Sequence, residues 1–557
     1  MTGGLADVVF AARVFTRAGI VRPSRPDRVV RAVTALRRYG PTLAAGYRGC
    51  AARYPERSAI IDEGGTLTFA EVDARTNALA HGLAARGLRA GDRVAIMCRN
   101  HRGFIEASIA CSKLGAHAVY LNTAFARPQV TEVVEREAPA MIIYDDEFAG
   151  EVAEAVGTGR TGLMAWVDGG AGAAGTGANA ATPPASAGPA TASGGDETLQ
   201  QLIDHSPTTP LPPPENPGRT VILTSGTTGT PKGANRASPD SLQPAAALLD
   251  RIPLRAREPT MIAAPLFHSW GFAHFFLSTA LGSTLVLRRR FDPEDTLRAV
   301  AEQHATALIV VPVMLQRMLE LPDEARGRYD VSELRVIASS GSALPGPLAQ
   351  RVMDAFGDRL YNLYGSTEVA WAAIATPEDL RAAPGTAGRI PRGTVARVLD
   401  EHGRPLPDGQ PGRIFVGSEL LFEGYTGGED KARIGSLMST GDVGHFDAAG
   451  RLFVDGRDDD MIVSGGENVF PGEVEDRLAR VAGVKEAAVI GVPDEEFGQR
   501  LRAFVVPQDG VTLSEADLKE HVRDNLARYK VPRDVVFVDV LPRNATGKVL
   551  KRELARD

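Results

Sequence analysis

The chain has 557 residues, of which 43% are apolar and 24% charged, and its formal net charge is −7 at pH 7. A chain of this length exceeds a single hydrophobic core, so we expect at least two domains, and the acidic balance argues against a nucleic-acid-binding protein. Cys50, Cys98 and Cys111 form no C-x-x-C pair, which argues against disulfides and fits a reducing cytoplasm. We find neither an apolar run long enough to span a bilayer nor the pattern of an export signal.

The first 45 residues form a basic, apolar extension interrupted by Pro23 and Pro26. We predict two short amphipathic helices here, and two interpretations remain open. In the first interpretation, the extension lies on an anionic membrane, which would make the protein peripheral to the inner membrane face. In the second, it docks on the protein's own body and its arginine face is solvated. Its arginines are Arg13, Arg17, Arg22, Arg25, Arg28, Arg31, Arg37 and Arg38.

From about residue 46 the apolar pattern alternates between strand-like and helix-like segments. Such alternation predicts an α/β domain with a mostly parallel sheet covered on both faces. Residues 169–195 are almost wholly Gly, Ala, Thr, Pro and Ser, and we predict a disordered insertion there. The predicted strands are 67–69, 93–98, 116–121, 140–144 and 163–167, and the predicted helices are 71–86, 104–113, 130–136 and 149–156.

The segment Val221–Gly233 reads as a buried strand that runs into a hydroxyl-rich glycine loop. Glycines let backbone N–H groups approach anionic oxygens, hydroxyls add donors, and Lys232 supplies a compact positive charge, so the loop suits a polyphosphate. It is not a Walker A loop, because Gly233 follows the lysine where that motif needs Ser or Thr. The candidate phosphate-binding residues are Thr224, Ser225, Gly226, Thr227, Thr228, Gly229 and Lys232.

Three apolar or small-residue segments follow. In the aromatic segment that begins at Pro265, we expect His268 to line a pocket, whereas Phe275 and Phe276 are typical of core. The apolar run Ile309–Met314 and the small-residue run Ser339–Leu344 are compatible with no more than a buried strand and its turn.

The segment Tyr361–Glu368 contains the side chains that a bound nucleotide requires. Tyr364 offers an aromatic face for adenine, and Asn362 can pair with a base edge. Thr367 can donate to a phosphate, and Glu368 is a hard oxygen ligand for magnesium. Farther on, Asp442 can accept hydrogen bonds from both ribose hydroxyls, and Arg457 can fix the sugar or the α-phosphate.

Together these motifs, in this order, resemble the adenylate-forming superfamily, and within it the bacterial fatty-acyl-CoA synthetases. The resemblance covers about residues 46–557 and implies a large α/β domain, 46–457, and a small α+β domain, 458–557, that moves on a hinge at Asp459. In the small domain we predict helices 473–481 and 515–526 and strands 487–490, 503–506 and 535–538.

The resemblance also assigns site residues. Lys548, in the P-x-x-x-x-G-K context, would enter the active site during adenylation, and His268 would gate the acyl site. Gly365 and Ser366 belong to the nucleotide motif. The acyl site would further include Trp270, Val313, Gly341, Ser342 and Ala343, and the thiol channel Ser464, Gly465 and Gly466.

The expected reaction is ATP-dependent activation of a hydrophobic, fatty acid to an acyl-adenylate, followed by transfer to coenzyme A, with Mg²⁺ as cofactor. One alternative is transfer to a carrier-protein phosphopantetheine or release at the adenylate stage, and another is a luciferase-like oxygenase. A non-catalytic acyl-binding module is disfavoured, because the motif side chains are intact. Acyl chain length, pathway and oligomeric state, monomer or homodimer, stay open.

Overall fold

The computed structural model describes residues 5–22, 25–157, 159–167, 197–224, 232–236, 241–426, 428, 430–464, 467–494, 498–544 and 547–555. The insertion predicted at 169–195 lies outside these ranges, as do Ser225–Gly229, Gly465 and Gly466 of the predicted site. The chain divides into two compact units. The first comprises Met1–Ile309, Asp323–Arg335 and Phe422–Asp430, and the second Val310–Pro322, Val336–Leu421 and Lys431–Asp557.

One sheet of the first unit carries the predicted phosphate segment. Its strands from Thr220–Thr224 to Glu197–Thr198 are parallel to one another. At the opposite edge, Lys232–Arg236 and Gly424–Tyr425 pair antiparallel. Apolar side chains of these strands, such as Val119, Ile142 and Val221, are buried against flanking helices, as expected for a covered parallel sheet. The strand order is Gly424–Tyr425, Lys232–Arg236, Thr220–Thr224, His117–Tyr120, Arg93–Met97, Met141–Asp145, Thr161–Trp166 and Glu197–Thr198.

A second group of strands in the first unit is parallel except at one edge. Thr260–Ile262 pairs in parallel with Leu285–Leu287 and with Ala307–Val310, and Ser58–Asp62 pairs with Leu285–Leu287 and, antiparallel, with Gly65–Thr68. The helices of this unit are Leu5–Arg17, Pro26–Tyr39, Leu43–Arg53, Phe69–Ala85, Arg102–Leu114, Arg127–Glu137, Ala149–Gly157, Leu199–His205, Gln243–Arg251, Ser269–Leu281, Pro293–Glu302 and Asp323–Gly327.

The second unit combines three sheets. Val336–Ser339 and Leu360–Tyr364 are parallel, with Ala373–Ala375 antiparallel beside them. An antiparallel sheet contains Val395–Leu399, Gly412–Gly417, Leu437–Phe446, Arg433–Ile434 and Leu452–Arg457. The C-terminal sheet contains Glu467–Val469, Ile462–Ser464, Gly498–Pro507, Val484–Asp494 and Asp534–Phe537, and the helices are Pro312–Glu320, Gly346–Phe356, Pro377–Ala382, Pro471–Leu478, Glu515–Asn525 and Lys551–Leu554.

The predicted fold class is confirmed, with a large α/β region and a small C-terminal α+β domain. Element boundaries differ where capping decides them. The helix predicted from Glu71 begins at Phe69, because Thr68 and Glu71 form a reciprocal capping box. The apolar run Ile309–Met314 is not one strand, because Pro312 takes the first-turn position of a helix that contains Val313 and Met314.

The basic extension forms the two predicted helices, Leu5–Arg17 and Pro26–Tyr39. Pro26 does not interrupt a helix here but starts the second one, where its missing N–H has no intrahelical partner to lose. Within the described ranges, none of the helices combines the length and apolarity needed to cross a bilayer.

Candidate functional site

Three predicted nucleotide residues meet in the second unit. The Tyr364 hydroxyl donates to Asp442 Oδ2 at 2.5 Å, and Arg457 Nη1 lies 3.4 Å from Asp442 Oδ1. Asp442 and Arg457 face each other across antiparallel strands, which explains how residues in separate motifs come together. The sheet register therefore builds one polar cluster from the second and third motifs.

Electrostatics within this cluster keep Tyr364 a hydrogen-bond donor. Burial, followed by the Asp442 charge, raises the pKa of Tyr364 well above its usual value, so the phenol stays protonated. Burial also raises the pKa of the Asp442 carboxyl, while the Tyr364 hydrogen bond and the positive charges of Arg457, Lys548 and Lys431 act in the opposite direction. Lys548 thus lies within electrostatic reach of Asp442.

Asn362 presents an unused acceptor beside this cluster. It lies on the strand that ends at Tyr364, is 7% exposed, and its Oδ1 has no hydrogen-bond partner among the described residues. A buried, unpartnered acceptor costs about 1–3 kcal/mol, so a ligand N–H at this position would be favoured. The turn that follows is tight, because a Cβ at Gly365 would lie 2.0 Å from the Ala370 carbonyl oxygen.

The rest of this turn holds the predicted phosphate and metal residues. The Ser366 hydroxyl accepts from the backbone N–H of Glu368 at 3.3 Å, which holds the chain in a compact turn after the strand. Thr367 and Glu368 are both partly buried there. A partly buried carboxylate at the end of a strand is an oxygen ligand of the kind that magnesium takes.

The small-residue segment after Val336–Ser339 is open to solvent. Gly341 and Ala343 are exposed, and Ser342 is half-buried. Gly341 has φ +96°, the left-handed region that favours glycine, and a Cβ there would lie 3.3 Å from Val311 Cγ1. This segment therefore leaves room beside the start of the helix Pro312–Glu320.

The C-terminal segment contacts the same helix at one face. A Cβ at Gly547 would lie 2.3 Å from Val313 Cγ1, so the backbone before Lys548 lies directly on Val313. Gln316 Nε2 donates to Glu486 at 2.8 Å, and Lys485 Nζ lies 3.2 Å from Glu320. Because residues 313, 316 and 320 share a helix face, one surface holds both the tail turn and the strand Val484–Asp494.

The tail turn is itself braced. The Lys548 backbone N–H donates to Asn544 Oδ1 at 2.9 Å, and the Asn544 and Gly547 N–H groups donate to the carbonyls of Lys548 and Asn544. Gly547 has φ +79°, which only glycine adopts without strain. Lys548 is exposed while Gly547 is buried, so the side chain projects from an anchored turn.

In the first unit, His268 and Trp270 lie at the start of the helix Ser269–Leu281. His268 is the N-cap residue and is partly buried, and its buried Nε2 has no partner among the described residues. Trp270 is 7% exposed and packs edge-on against His274 at 4.2 Å between ring centroids. Phe275 is fully buried, as its core assignment predicted.

His274 is a pocket candidate that the sequence analysis missed. Its Nδ1 lies 3.1 Å from the Trp270 carbonyl oxygen, which can only accept, so Nδ1 carries the proton and Nε2 is an acceptor. That Nε2 is buried without a partner among the described residues. The sequence does offer one signal for this residue, namely a second histidine six positions after His268 in an aromatic helix.

These two histidines make the free energy of unfolding depend on pH below neutrality. Burial lowers the pKa of both His268 and His274 from 6.5 to about 4, so the unfolded chain takes up protons first as the pH falls. Their contribution to stability is complete above about pH 6.5 and is lost between about pH 6.5 and 4, at about 3 kcal/mol per histidine.

We expect the free energy of unfolding of the His274→Asn variant to fall less than that of the parent between about pH 6.5 and 4, by about 3 kcal/mol, even though the variant is less stable at pH 7. Urea unfolding at a series of pH values measures the slope. The exposed His402→Asn variant serves as the control and should follow the parent curve. An unchanged slope for His274→Asn would contradict the prediction.

The phosphate segment is described only at its ends. Lys232 pairs with Thr224 across antiparallel strands, and its Nζ lies 5.6 Å from the centre of the Tyr425 ring. The Thr426 hydroxyl donates to the buried Glu137 at 2.7 Å and the Thr426 N–H to the Gly233 carbonyl at 2.8 Å, which anchors this strand pair.

The predicted hinge and thiol residues lie on consecutive elements. Asp459 is the middle residue of the 3-10 turn Asp458–Asp460, which links the strands Leu452–Arg457 and Ile462–Ser464. Ser464 is 9% exposed and pairs with Glu467 and Gly498. A single turn between two strands is a short connection of the kind on which a hinge can be built.

Comparisons with known proteins agree along most of the chain. Residues 48–426 match the family described as AMP-binding enzyme, and residues 473–548 match the AMP-binding enzyme C-terminal domain. Feruloyl-CoA synthase of Amycolatopsis sp. is 34% identical over 508 residues, covering 90% of this chain and 96% of that protein. Fatty acid--[acyl-carrier-protein] ligase ScoC of Streptomyces coeruleorubidus is 31% identical over 515 residues, covering 90% and 93%.

Among solved structures, o-succinylbenzoate CoA synthetase (MenE) from Bacillus subtilis in complex with its acyl-adenylate intermediate superposes with a TM-score of 0.75. Its sequence is 27% identical to this one, and the match covers 91% of this chain and 97% of that chain.

Proposed function

Because the chain belongs to the AMP-binding enzyme family, we propose that it activates a hydrophobic carboxylic acid as an acyl-adenylate and transfers the acyl group to coenzyme A. At the coarser level the protein is an AMP-forming acyl- or aryl-CoA ligase that uses ATP, Mg²⁺ and coenzyme A. The observation that carries the proposal is the Tyr364–Asp442–Arg457 cluster with the unused Asn362 acceptor beside it.

In our proposal the nucleoside binds to this cluster. Tyr364 contributes a ring face to adenine, and Asn362 Oδ1 accepts from the exocyclic amine, which would satisfy the buried acceptor. Asp442 accepts from the ribose hydroxyls while Arg457 fixes the sugar or the α-phosphate. The phosphates would take hydrogen bonds from Gly365, Ser366, Thr367, Lys232 and the Thr224–Gly229 loop.

Glu368 is the proposed magnesium ligand. Its carboxylate offers oxygen donors, and magnesium characteristically takes only one or two protein carboxylates together with waters and substrate phosphates. When bound, the ion would neutralise charge on the phosphates.

The first step of the reaction needs no general base, since a carboxylate is already ionised at pH 7. One carboxylate oxygen attacks the α-phosphorus of ATP, the bond to the bridging oxygen breaks, and pyrophosphate leaves with that electron pair. Catalysis then depends on positioning and on charge neutralisation. Lys548 would supply a positive charge at the α-phosphate in this step.

In the second step the thiol attacks the acyl carbonyl and AMP leaves. We propose the domain division 1–45, 46–457 and 458–557, with rotation at Asp459 removing Lys548 and presenting Ser464, Gly465 and Gly466 to the incoming thiol. The short Asp458–Asp460 turn is compatible with such a hinge.

The acid would contact His268, Trp270, Val313, Gly341, Ser342 and Ala343. A set that combines large apolar side chains with small residues suits a hydrophobic substrate, and we retain a fatty acid as the proposal. An aromatic acid with a hydroxyl group is the second candidate, because His274 Nε2 is a buried acceptor without a partner among the described residues. The similarity to feruloyl-CoA synthase favours the same class.

A carrier-protein phosphopantetheine is the alternative acceptor. The relative ScoC is named as a ligase of fatty acids to acyl carrier protein, and both acceptors carry the same terminal thiol. Comparing coenzyme A with a holo-carrier protein in the thioester assay separates the two acceptors.

Pyrophosphate release across a panel of fatty and hydroxylated aromatic acids tests the proposal. We expect release that requires ATP, Mg²⁺ and one class of acid, followed by thioester formation with coenzyme A. Release with aromatic acids alone would replace the fatty-acid proposal, and thioester formation with the holo-carrier alone would replace coenzyme A. Absence of release with every acid would contradict adenylate formation.

A further inference from the structure

We propose that the N-terminal extension, residues 1–45, is a docking surface for an anionic lipid bilayer. This inference is independent of the ligase reaction. It depends on the charge of the extension, on an apolar helix face that the described structure leaves exposed, and on a cavity at the edge of that face that contains a buried arginine Nε.

The extension has the opposite charge to the rest of the chain. It contains eight arginines and two aspartates, a formal charge of +6 within a chain whose total is −7. Some of these charges are engaged at the surface, since Arg17 pairs with Asp250 at 2.8 Å, and Arg25 and Arg31 both pair with Asp27, at 3.1 and 2.7 Å. Basic residues close to an anionic membrane contribute about 1 kcal/mol each to binding.

The helix Pro26–Tyr39 carries apolar residues on two faces. Its inner face packs through Ala35 and Tyr39, which are 2% and 6% exposed, and the Tyr39 hydroxyl donates to the Leu211 carbonyl at 3.2 Å. A second face consists of Val29, Val33 and Leu36, which we call the apolar stripe. Their spacing of four and three residues places them on one side of the helix.

The apolar stripe is solvent-exposed, with 40%, 43% and 48% exposure for Val29, Val33 and Leu36. The helix Leu5–Arg17 repeats the arrangement, because Val14 is buried while Val8 and Val9 point to solvent. The fully buried side chains of these two helices therefore lie on their inner faces. Clustered exposed apolar side chains interleaved with arginines are typical of helices that lie in a membrane interface.

A cavity of about 180 Å³ lies beside Leu36, at one end of the apolar stripe. Leu36, Ala32 and Ile20 of the extension line it together with Arg53 and Arg257. Both guanidinium groups lie against the Tyr54 ring, at 5.0 and 5.7 Å from its centre. The buried Arg53 Nε has no hydrogen-bond partner among the described residues, so a donor is available to an anionic group that enters beside Leu36.

The charges distinguish a bilayer from a second copy of the chain. Two copies that met through the extension would bring together two segments that each carry a formal charge of +6, and like charges oppose association. An anionic bilayer offers phosphates to the arginines of the extension and an apolar layer to the stripe. The extension thus combines the two chemistries that a membrane interface requires.

Co-sedimentation of the full-length protein with vesicles tests the inference. We expect binding to vesicles of phosphatidylcholine mixed with phosphatidylglycerol, little binding to phosphatidylcholine alone, and weaker binding as salt is raised. V29S/V33S/L36S and, separately, R31Q/R37Q/R38Q should each reduce the partition coefficient by about 10-fold or more. All six residues are exposed, so the thermal unfolding transition should be unchanged in both variants.

The control variant is V395S/I434S/V540S, which removes three exposed apolar side chains outside the extension. It should bind vesicles as the parent protein does. Equal loss in the control, binding that does not depend on anionic lipid, or no vesicle binding by the parent would each overturn the inference. A dimer in solution that the stripe variant converts to monomer would instead identify a second copy as the occupant.

Discussion

Lys548→Ala should reduce acyl-adenylate formation by about 10²–10³-fold while leaving the conversion of supplied acyl-adenylate to thioester nearly unchanged. The loss corresponds to removing one preorganised charge from the step in which pyrophosphate leaves, about 2.7–4 kcal/mol. In the structure Lys548 is close enough to Asp442 to act on its pKa, so its charge lies near the proposed ribose site. Pyrophosphate release and thioester formation are measured separately.

Lys551→Ala is the matched control for this experiment. Lys551 is a lysine of the same C-terminal segment, but its Nζ pairs with Glu475 at 2.7 Å. We expect both half-reactions of this variant to remain within about twofold of the parent, as is usual for a partly exposed ion pair. Equal loss of both half-reactions in Lys548→Ala would refute the assignment of this lysine to adenylation alone.

Gly547→Ala should reduce adenylate formation by at least about 10-fold although no charge is altered. Alanine at φ +79° costs about 1–2 kcal/mol, and its Cβ would in addition lie 2.3 Å from Val313 Cγ1. The tail turn must then move away from the helix Pro312–Glu320, and a displacement of about 1 Å can cost 10²-fold in a positioned reaction. The thioester half-reaction should be retained.

The backbone strain and the steric overlap that Gly547→Ala introduces can be measured separately. Gly510→Ala introduces the same strain at φ +75° with no neighbouring atom within 4 Å, and should leave both half-reactions intact. A cycle of Gly547→Ala, Val313→Ala and the double variant measures the contact itself, and the smaller side chain at 313 should restore part of the lost activity. No coupling between the two positions would contradict tail docking on Val313.

Much of the fold was accessible from sequence because alternating apolar segments specify buried strands and covering helices. The predictions were wrong where one residue redirects the backbone, as Pro312 does by starting a helix inside an apolar run. The nucleotide cluster was accessible only as separate motifs. Tyr364 and Asp442 are 78 residues apart, and the register of two different sheets decides that they touch.

Other features of the structure leave little or no signal in the amino-acid sequence. His274 occupies one position in an aromatic helix, and neither its burial nor its unpartnered Nε2 can be read from composition. Similarly, the contact between Val313 and Gly547 joins segments that share no pattern, because it depends on how a turn at the end of the chain packs. Tertiary packing, rather than local propensity, determines both.

In the described structure the helix Pro312–Glu320 holds the C-terminal domain through weak contacts. These include an apolar contact of Val313 with Gly547, an amide hydrogen bond from Gln316 to Glu486, and a partly exposed ion pair of Glu320 with Lys485. Each such link is worth about 1 kcal/mol or less in water. Breaking these contacts would therefore cost little free energy and would leave the braced turn that bears Lys548 intact. Contacts of this strength suit the proposed rotation at Asp459, because they can break and form again while the turn keeps its geometry.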